Sequence, residues 1–168
     1  MPGQSVGRFD LHDRPPVRYL AESPEHALGE VLAAYRGTTF RPAYLRSSGL
    51  PLAVVEVTLS SSLVARVADL TDPGVLTRFG LRPDALANHD RATTQAIARA
   101  LHDAPGDPRR LAGLRWWSAL TGAWHTNVLF TDRIRAGEIG FGEPRPLAAD
   151  EPIVVRAMIA LGITRQRG

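Results

Sequence analysis

The sequence predicts a mixed α+β fold, a single domain over residues 1–168 with central strands and flanking helices. Three observations carry that expectation. The strand-forming run VRYLA at residues 17–21 leads straight into a helix-start signal. Two later stretches repeat apolar residues at helical spacing and are bounded by helix stops. The remaining strand-type runs favour strand pairs over helix pairs and lack the regular strand–helix alternation of a doubly wound sheet. A chain of 168 residues fits one core.

Taken in order, Val17-Arg18-Tyr19-Leu20-Ala21 is short, partly alternating and rich in strand formers. Ser23-Pro24-Glu25 then supplies a helix cap, a first-turn proline and an acid at the positive end of the helix. Ala27, Leu28, Val31, Leu32 and Tyr35 recur at helical spacing, and Gly37 is placed to close the helix. Leu52 to Leu59, LAVVEVTL, reads as a strand with Val55, Val57 and Leu59 on one face. Leu63 to Leu70 reads as another strand. Pro73 to Asn88 carries helix and turn signals in short pieces. From Asp90 to His102 a stripe of Ala92, Ala96, Ile97, Ala100 and Leu101 predicts a second helix, stopped by Pro105-Gly106-Asp107-Pro108. Gly113 to Ala119 and Thr126 to Phe130 read as strands flanking a turn at Gly122, with a third short strand around Glu138 to Phe141. Asp150-Glu151-Pro152 opens a run that ends at Gly162, acid and proline first and glycine last, as in a capped helix.

Composition excludes several chemistries. The chain has no cysteine, which removes disulfides, thiolate metal sites and cysteine nucleophiles. Every one of its 20 basic residues is arginine, so Schiff-base chemistry and a phosphate-loop lysine are also absent. A net charge of +3 from scattered arginines does not indicate direct nucleic-acid binding. The five histidines are too dispersed for a metal motif, so no metal is expected. No GxGxxG or GxSxG string occurs, which removes the arguments for a dinucleotide fingerprint and a nucleophile elbow. No apolar stretch approaches the roughly 18 residues of a membrane span, and MPGQSVGRFD lacks the apolar core of a signal peptide. The expected location is the cytoplasm.

Four residues matter below, and each has an ordinary reading by itself. Glu30 lies off the apolar stripe near its Ala27 edge, facing a cleft or solvent. Arg8, in Gly7-Arg8-Phe9-Asp10, fits a surface salt bridge or a frayed terminus. Tyr19, mid-strand, fits core or cross-strand packing. Ser118, after Trp116-Trp117 in an expected strand, fits a local hydrogen bond.

Together they form an ordered set. GRFD followed by VRYLAESPEHALGEV, and later GLRWWSAL followed by NVLFTDR, resembles the RES-domain family, named for an arginine, a glutamate and a serine. In that family a glycine–arginine–aromatic motif precedes a strand tyrosine, a glutamate in the following helix, and a serine near the end of a later strand. Here these positions are Arg8, Tyr19, Glu30 and Ser118. The likeness runs from about residue 7 to about residue 162 and includes VARVADLTDP, TTQAIARAL and ALGI. Two departures stand out: Phe9-Asp10 replaces the family's frequent Trp-Asn, and only seven residues precede Arg8, from which the expectation is a domain without the family's first strand.

The resemblance implies a fold related to ADP-ribosyltransferases, degradation of NAD by hydrolysis or phosphorolysis, and pairing with an Xre-type helix-turn-helix antitoxin. NAD is then the substrate, with no further cofactor and no metal, because nicotinamide leaves as a neutral molecule. It implies catalytic roles for Arg8, Glu30 and Ser118, and substrate contacts from Arg8, Tyr19 and Ser118. The residue types suit NAD. Arginine gives a bidentate contact to pyrophosphate, tyrosine a π face to the pyridinium, and glutamate an acceptor for ribose hydroxyls and for oxocarbenium-like charge. Ser118 fits hydrogen bonding to substrate better than nucleophilic attack, since no base is identifiable beside it. Mono-ADP-ribosylation of a protein and a catalytically weak antitoxin-binding module are the alternatives. A homo-oligomer is compatible with the sequence, and the acceptor, water or phosphate, is not encoded in any one residue.

Overall fold

A computed structural model describes residues 7–87, 90–104 and 110–165. Helices and strands are mixed, as an α+β class requires. The sheet strands are β1 (Val17–Ala21), β2 (Val67–Asp69), β3 (Gly113–Trp117) and β4 (His125–Phe130). The longer helices are α1 (Pro24–Leu32), α2 (Arg91–His102) and α3 (Pro152–Ala160). Contacts divide the chain into two compact units, Met1–Leu20 with Leu59–Gly140 and Ala21–Thr58 with Phe141–Gly168. Among the described residues no helix is long and apolar enough to cross a membrane.

In the first unit the sheet order is β1-β4-β3-β2. β3 and β4 pair antiparallel, from Gly113 opposite Leu129 to Trp117 opposite His125, and β2 lies parallel to β3. Successive strand residues point to opposite faces, and both faces of this sheet are covered. Val17, Ala68, Leu114, Trp116, Val128 and Phe130 enter the larger core with Leu76, Leu86, Ile97 and Leu101 from the helices. Ala112 and Leu129 meet Leu63 on the other side, with Leu20, Val67 and Ile139 packed around them. Gly113 is required by close approach, since a Cβ there would stand 2.2 Å from the Val128 carbonyl oxygen.

Several sequence expectations need correction here. α2 buries Thr94, Ile97, Ala98, Leu101 and His102, while Ala92, Ala96 and Ala100 face outward. Counting alanine as apolar rotated the stripe, because a small side chain gains little from burial. Leu63 to Leu70 is not one strand. The Ser60 hydroxyl accepts from the Leu63 amide and caps a one-turn helix, Ser61–Val64, so that only Val67–Asp69 extends. Leu52 to Leu59 is broken as well. Ala53–Val54 pairs with Arg145–Pro146, whereas Val57–Leu59 pairs with Ile139–Phe141, and the change of partner falls at Val55-Glu56. The strand after Gly113 ends at Trp117, so Ser118 lies just beyond it. Pro73–Arg78 and Pro83–Ala87 are the short helical pieces, and Asn88 and the Pro105–Pro108 stop lie outside the described residues.

Beneath the sheet's smaller core a buried ion pair, Arg66 Nη2 to Glu138 Oε2 at 2.5 Å, ties the start of β2 to the segment after β4. Glu138 also accepts from the Ser62 hydroxyl and the Arg135 amide. The Arg135 N–H, assisted by Ser62 and Arg66, outweighs burial and holds this carboxyl below the usual carboxylate range. A depressed folded pKa stabilises the fold above the unfolded value, about 4.3, and that contribution is lost as pH falls through the folded value. Glu138→Gln should therefore lower the melting temperature at neutral pH and flatten its fall on acidification. Melts between neutral pH and strong acid check this, and an acid limb identical to wild type would exclude Glu138 as its source.

In the second unit α1 packs on α3, burying Leu28, Leu32, Val154, Ala157 and Met158. Glu25 on α1 accepts from Arg156 on α3, with Nε to Oε1 at 2.7 Å. α1 begins as its sequence predicts, with the Ser23 hydroxyl accepting from the His26 amide. Its buried side differs from expectation: His26 and Gly29 are inside, and Val31 is 50% exposed. After Leu32 the chain tightens into a 3₁₀ turn over Ala33–Tyr35, which breaks the 3.6-residue spacing before Tyr35. α3 follows its acid-proline start, and the chain leaves it at Leu161.

Candidate active site

The Gly7 amide donates to Asp10 Oδ2 at 2.8 Å, and the Tyr19 hydroxyl donates to Asp10 Oδ1 at 2.9 Å. That hydroxyl also accepts from the Phe9 amide at 3.0 Å. A Cβ at Gly7 would lie 2.4 Å from the Tyr19 hydroxyl oxygen and 2.6 Å from Asp10 Oδ1, so any other residue here would push both side chains out of this arrangement. α2 holds the same turn from another direction: Thr94 Oγ1 donates to the Arg8 carbonyl and Gln95 Nε2 to the Gly7 carbonyl. Phe9 is buried in the larger core. The pattern GRFD followed by a strand tyrosine is thus one hydrogen-bonded unit.

Arg8 is held at both ends. Its carbonyl accepts from Thr94, and its Nη2 donates to the Leu86 carbonyl at 2.5 Å. Its guanidinium carbon lies 5.5 Å from the Phe9 ring centroid. This partly buried side chain docks on a main-chain oxygen. A guanidinium carries five N–H donors in a planar fork.

Tyr19 divides by atom. The residue is 42% exposed, yet its hydroxyl is engaged inside the turn. Burial of the phenol raises its pKa, and the Asp10 carboxylate raises it further despite the opposing Phe9 amide. The phenol is a structural donor, and what Tyr19 offers outward is ring. Removal of the hydroxyl in Tyr19→Phe should strip Asp10 of a donor and destabilise the fold by about 1–3 kcal/mol. Denaturant unfolding checks it, and an unshifted midpoint would mean the hydroxyl contributes nothing net.

Ser118 is buried at the bend between β3 and β4. Its amide donates to the Trp124 carbonyl at 2.7 Å, and its Oγ accepts from the Leu120 amide at 3.0 Å. That is a serine shaping a turn. It follows directly on β3, which shares a sheet with the β1 strand of Tyr19.

Glu30 lies in the second unit, on α1. Its side chain is 44% exposed, and Oε1 stands 3.1 Å from Nε2 of His26, one helical turn earlier. The structure therefore joins Arg8 directly to Tyr19 through their shared turn, sets Ser118 in the same unit, and pairs Glu30 with His26.

Sequence reasoning missed three residues around these four. Asp10 anchors Tyr19, Thr94 anchors Arg8, and His26 contacts Glu30. Only the last had a readable signal, the i,i+4 spacing of an imidazole and a carboxylate on one helix face. Among the described residues no group of three His, Cys, Asp or Glu side chains is placed to hold a metal ion.

Comparison with known proteins gives one positive finding. No curated protein and no solved structure is significantly similar to the chain. The family model described as "RES domain" matches residues 1–150 of 168, a span that contains Arg8, Tyr19, Glu30 and Ser118. With the family's ordered residues present and most of the chain matched, this protein belongs to the RES-domain family.

Proposed function

We propose that this chain is the toxin of a bacterial toxin–antitoxin pair and consumes NAD by cleaving its nicotinamide N-glycosidic bond. The observation that carries the proposal is the RES-domain match over residues 1–150. RES domains are known in toxin–antitoxin contexts and are associated with NAD-related enzymatic activity. On this reading residues 1–168 act as one RES-like domain of ADP-ribosyltransferase-like fold, in the cytoplasm, neutralised by an Xre-type helix-turn-helix antitoxin.

The chemistry assigned to each side chain follows from its type and setting. Arg8, fixed by Leu86 and Thr94, carries the fork geometry that meets a pyrophosphate. Tyr19 presents its ring to the nicotinamide or its ribose, its hydroxyl being occupied. Glu30 accepts from the ribose hydroxyls and offsets the positive charge that grows at the anomeric carbon. Ser118 shapes the β3–β4 bend and hydrogen-bonds substrate.

An oxygen of water or phosphate bonds to the anomeric carbon as the carbon–nitrogen bond breaks. The bonding pair passes to the ring nitrogen, and nicotinamide departs neutral. With water the products are ADP-ribose, nicotinamide and a proton; with hydrogen phosphate, ADP-ribose-1″-phosphate, nicotinamide and a proton. Neither route needs an oxidant or a metal.

Incubation of purified protein with NAD, with and without phosphate, tests the proposal by NMR analysis of products. Free nicotinamide is expected, and the second product identifies the acceptor. Intact NAD in both samples would overturn the reading, and transfer of label to protein would replace it with mono-ADP-ribosylation.

A further inference from the structure

α1 packs on α3 and buries apolar side chains, yet one of its buried side chains is an imidazole. His26 is fully buried, in company with Leu28, Gly29 and Leu32. A polar ring in such a place costs solvation unless it makes hydrogen bonds. Its Nε2 lies 3.1 Å from Oε1 of Glu30, whose side chain is 44% exposed. The pair therefore runs from the interior to the surface along one helical turn.

We infer that His26 is a positioning residue, which holds the Glu30 carboxylate in one orientation from beneath. The inference rests on the assignment of Glu30 to NAD cleavage. A glutamate on a helix surface has three side-chain torsions and samples many rotamers. A carboxylate only accepts hydrogen bonds, so the facing Nε2 carries the hydrogen, in the neutral tautomer or the imidazolium. Because the ring is buried on all sides, its own orientation is fixed by packing, and the hydrogen bond passes that order to Oε1. The other charged side chain of the helix, Glu25, is engaged with Arg156 of α3. Its partner therefore lies off the His26–Glu30 pair.

The test uses the full chain with His26→Leu, which keeps an apolar side chain of comparable size, and His26→Gln, which keeps an N–H donor. His26→Leu should melt cooperatively and lose about 10- to 100-fold in kcat, as expected for a misplaced catalytic group. KM for NAD should change less than about threefold, since a transition-state contact is lost rather than uniform binding. His26→Gln should recover most of kcat. Wild-type kcat in folded His26→Leu would overturn the inference, as would His26→Gln being as slow as His26→Leu.

Two further measurements separate this from the underlying reading. Glu30→Gln with undiminished turnover sinks the role of Glu30 and the inference with it, whereas loss in Glu30→Gln beside full activity in His26→Leu sinks the inference alone. Carbon-13 NMR of the Glu30 carboxyl at fixed pH reads the pair without any turnover. Loss of the donor in His26→Leu should shift that carboxyl resonance, and an unmoved resonance would overturn the coupling.

Discussion

Glu30→Ala is expected to lower NAD turnover by at least about 100-fold, the loss that follows when an electrostatic contact to transition-state charge is removed, while the protein still melts cooperatively at a moderately lower temperature. The two halves of this result have separate causes. The side chain is 44% exposed, so its removal opens no cavity. It does take away a partner of buried His26 Nε2, which costs about 1–3 kcal/mol. The carboxylate, by contrast, is the only group in the proposed set whose full negative charge opposes an oxocarbenium-like centre. Steady-state turnover and thermal melting on the same preparation check both halves. Near-normal turnover would remove Glu30 from the site.

Leu28→Ala gives the opposite split, destabilising the protein by about 2–5 kcal/mol through lost transfer energy and a residual cavity. Leu28 is 2% exposed, packed on the α1 side that faces α3 with Leu32 and Met158 as fellow core residues. Its side chain is apolar and lies outside the proposed set. Turnover per folded molecule should therefore hold while the melting transition drops. An unaltered transition would contradict its burial. Two residues apart on one helix, Leu28 and Glu30 thus separate stability from activity.

Much of the fold was legible because its signals are local. Ser23-Pro24 at one helix start, Asp90 at another and Glu151-Pro152 at a third each cap or open the helix that follows them. Strand β1 occupies the five residues its composition suggests. The errors arose where a choice depended on a partner distant in sequence. Leu52 to Leu59 reads as one extended run, and only the change of pairing segment at Val55-Glu56 breaks it. Alanines at helical spacing in α2 read as core, whereas Thr94 is buried there and donates to the Arg8 carbonyl.

For the candidate site the division is similar. The sequence alone determined the ordered set Arg8, Tyr19, Glu30 and Ser118 and the family that set belongs to, because family motifs are strings of residue types. It also excluded thiol and lysine chemistry outright, since neither residue occurs. Only the tertiary structure decided what the atoms of those residues already do. Arg8 bonds to a carbonyl 78 residues away, the Tyr19 hydroxyl is bound within the Gly7–Asp10 turn, and a buried histidine faces Glu30. Hydrogen-bond partners of that kind are set by how the elements pack, and packing brings together groups that no local pattern can relate.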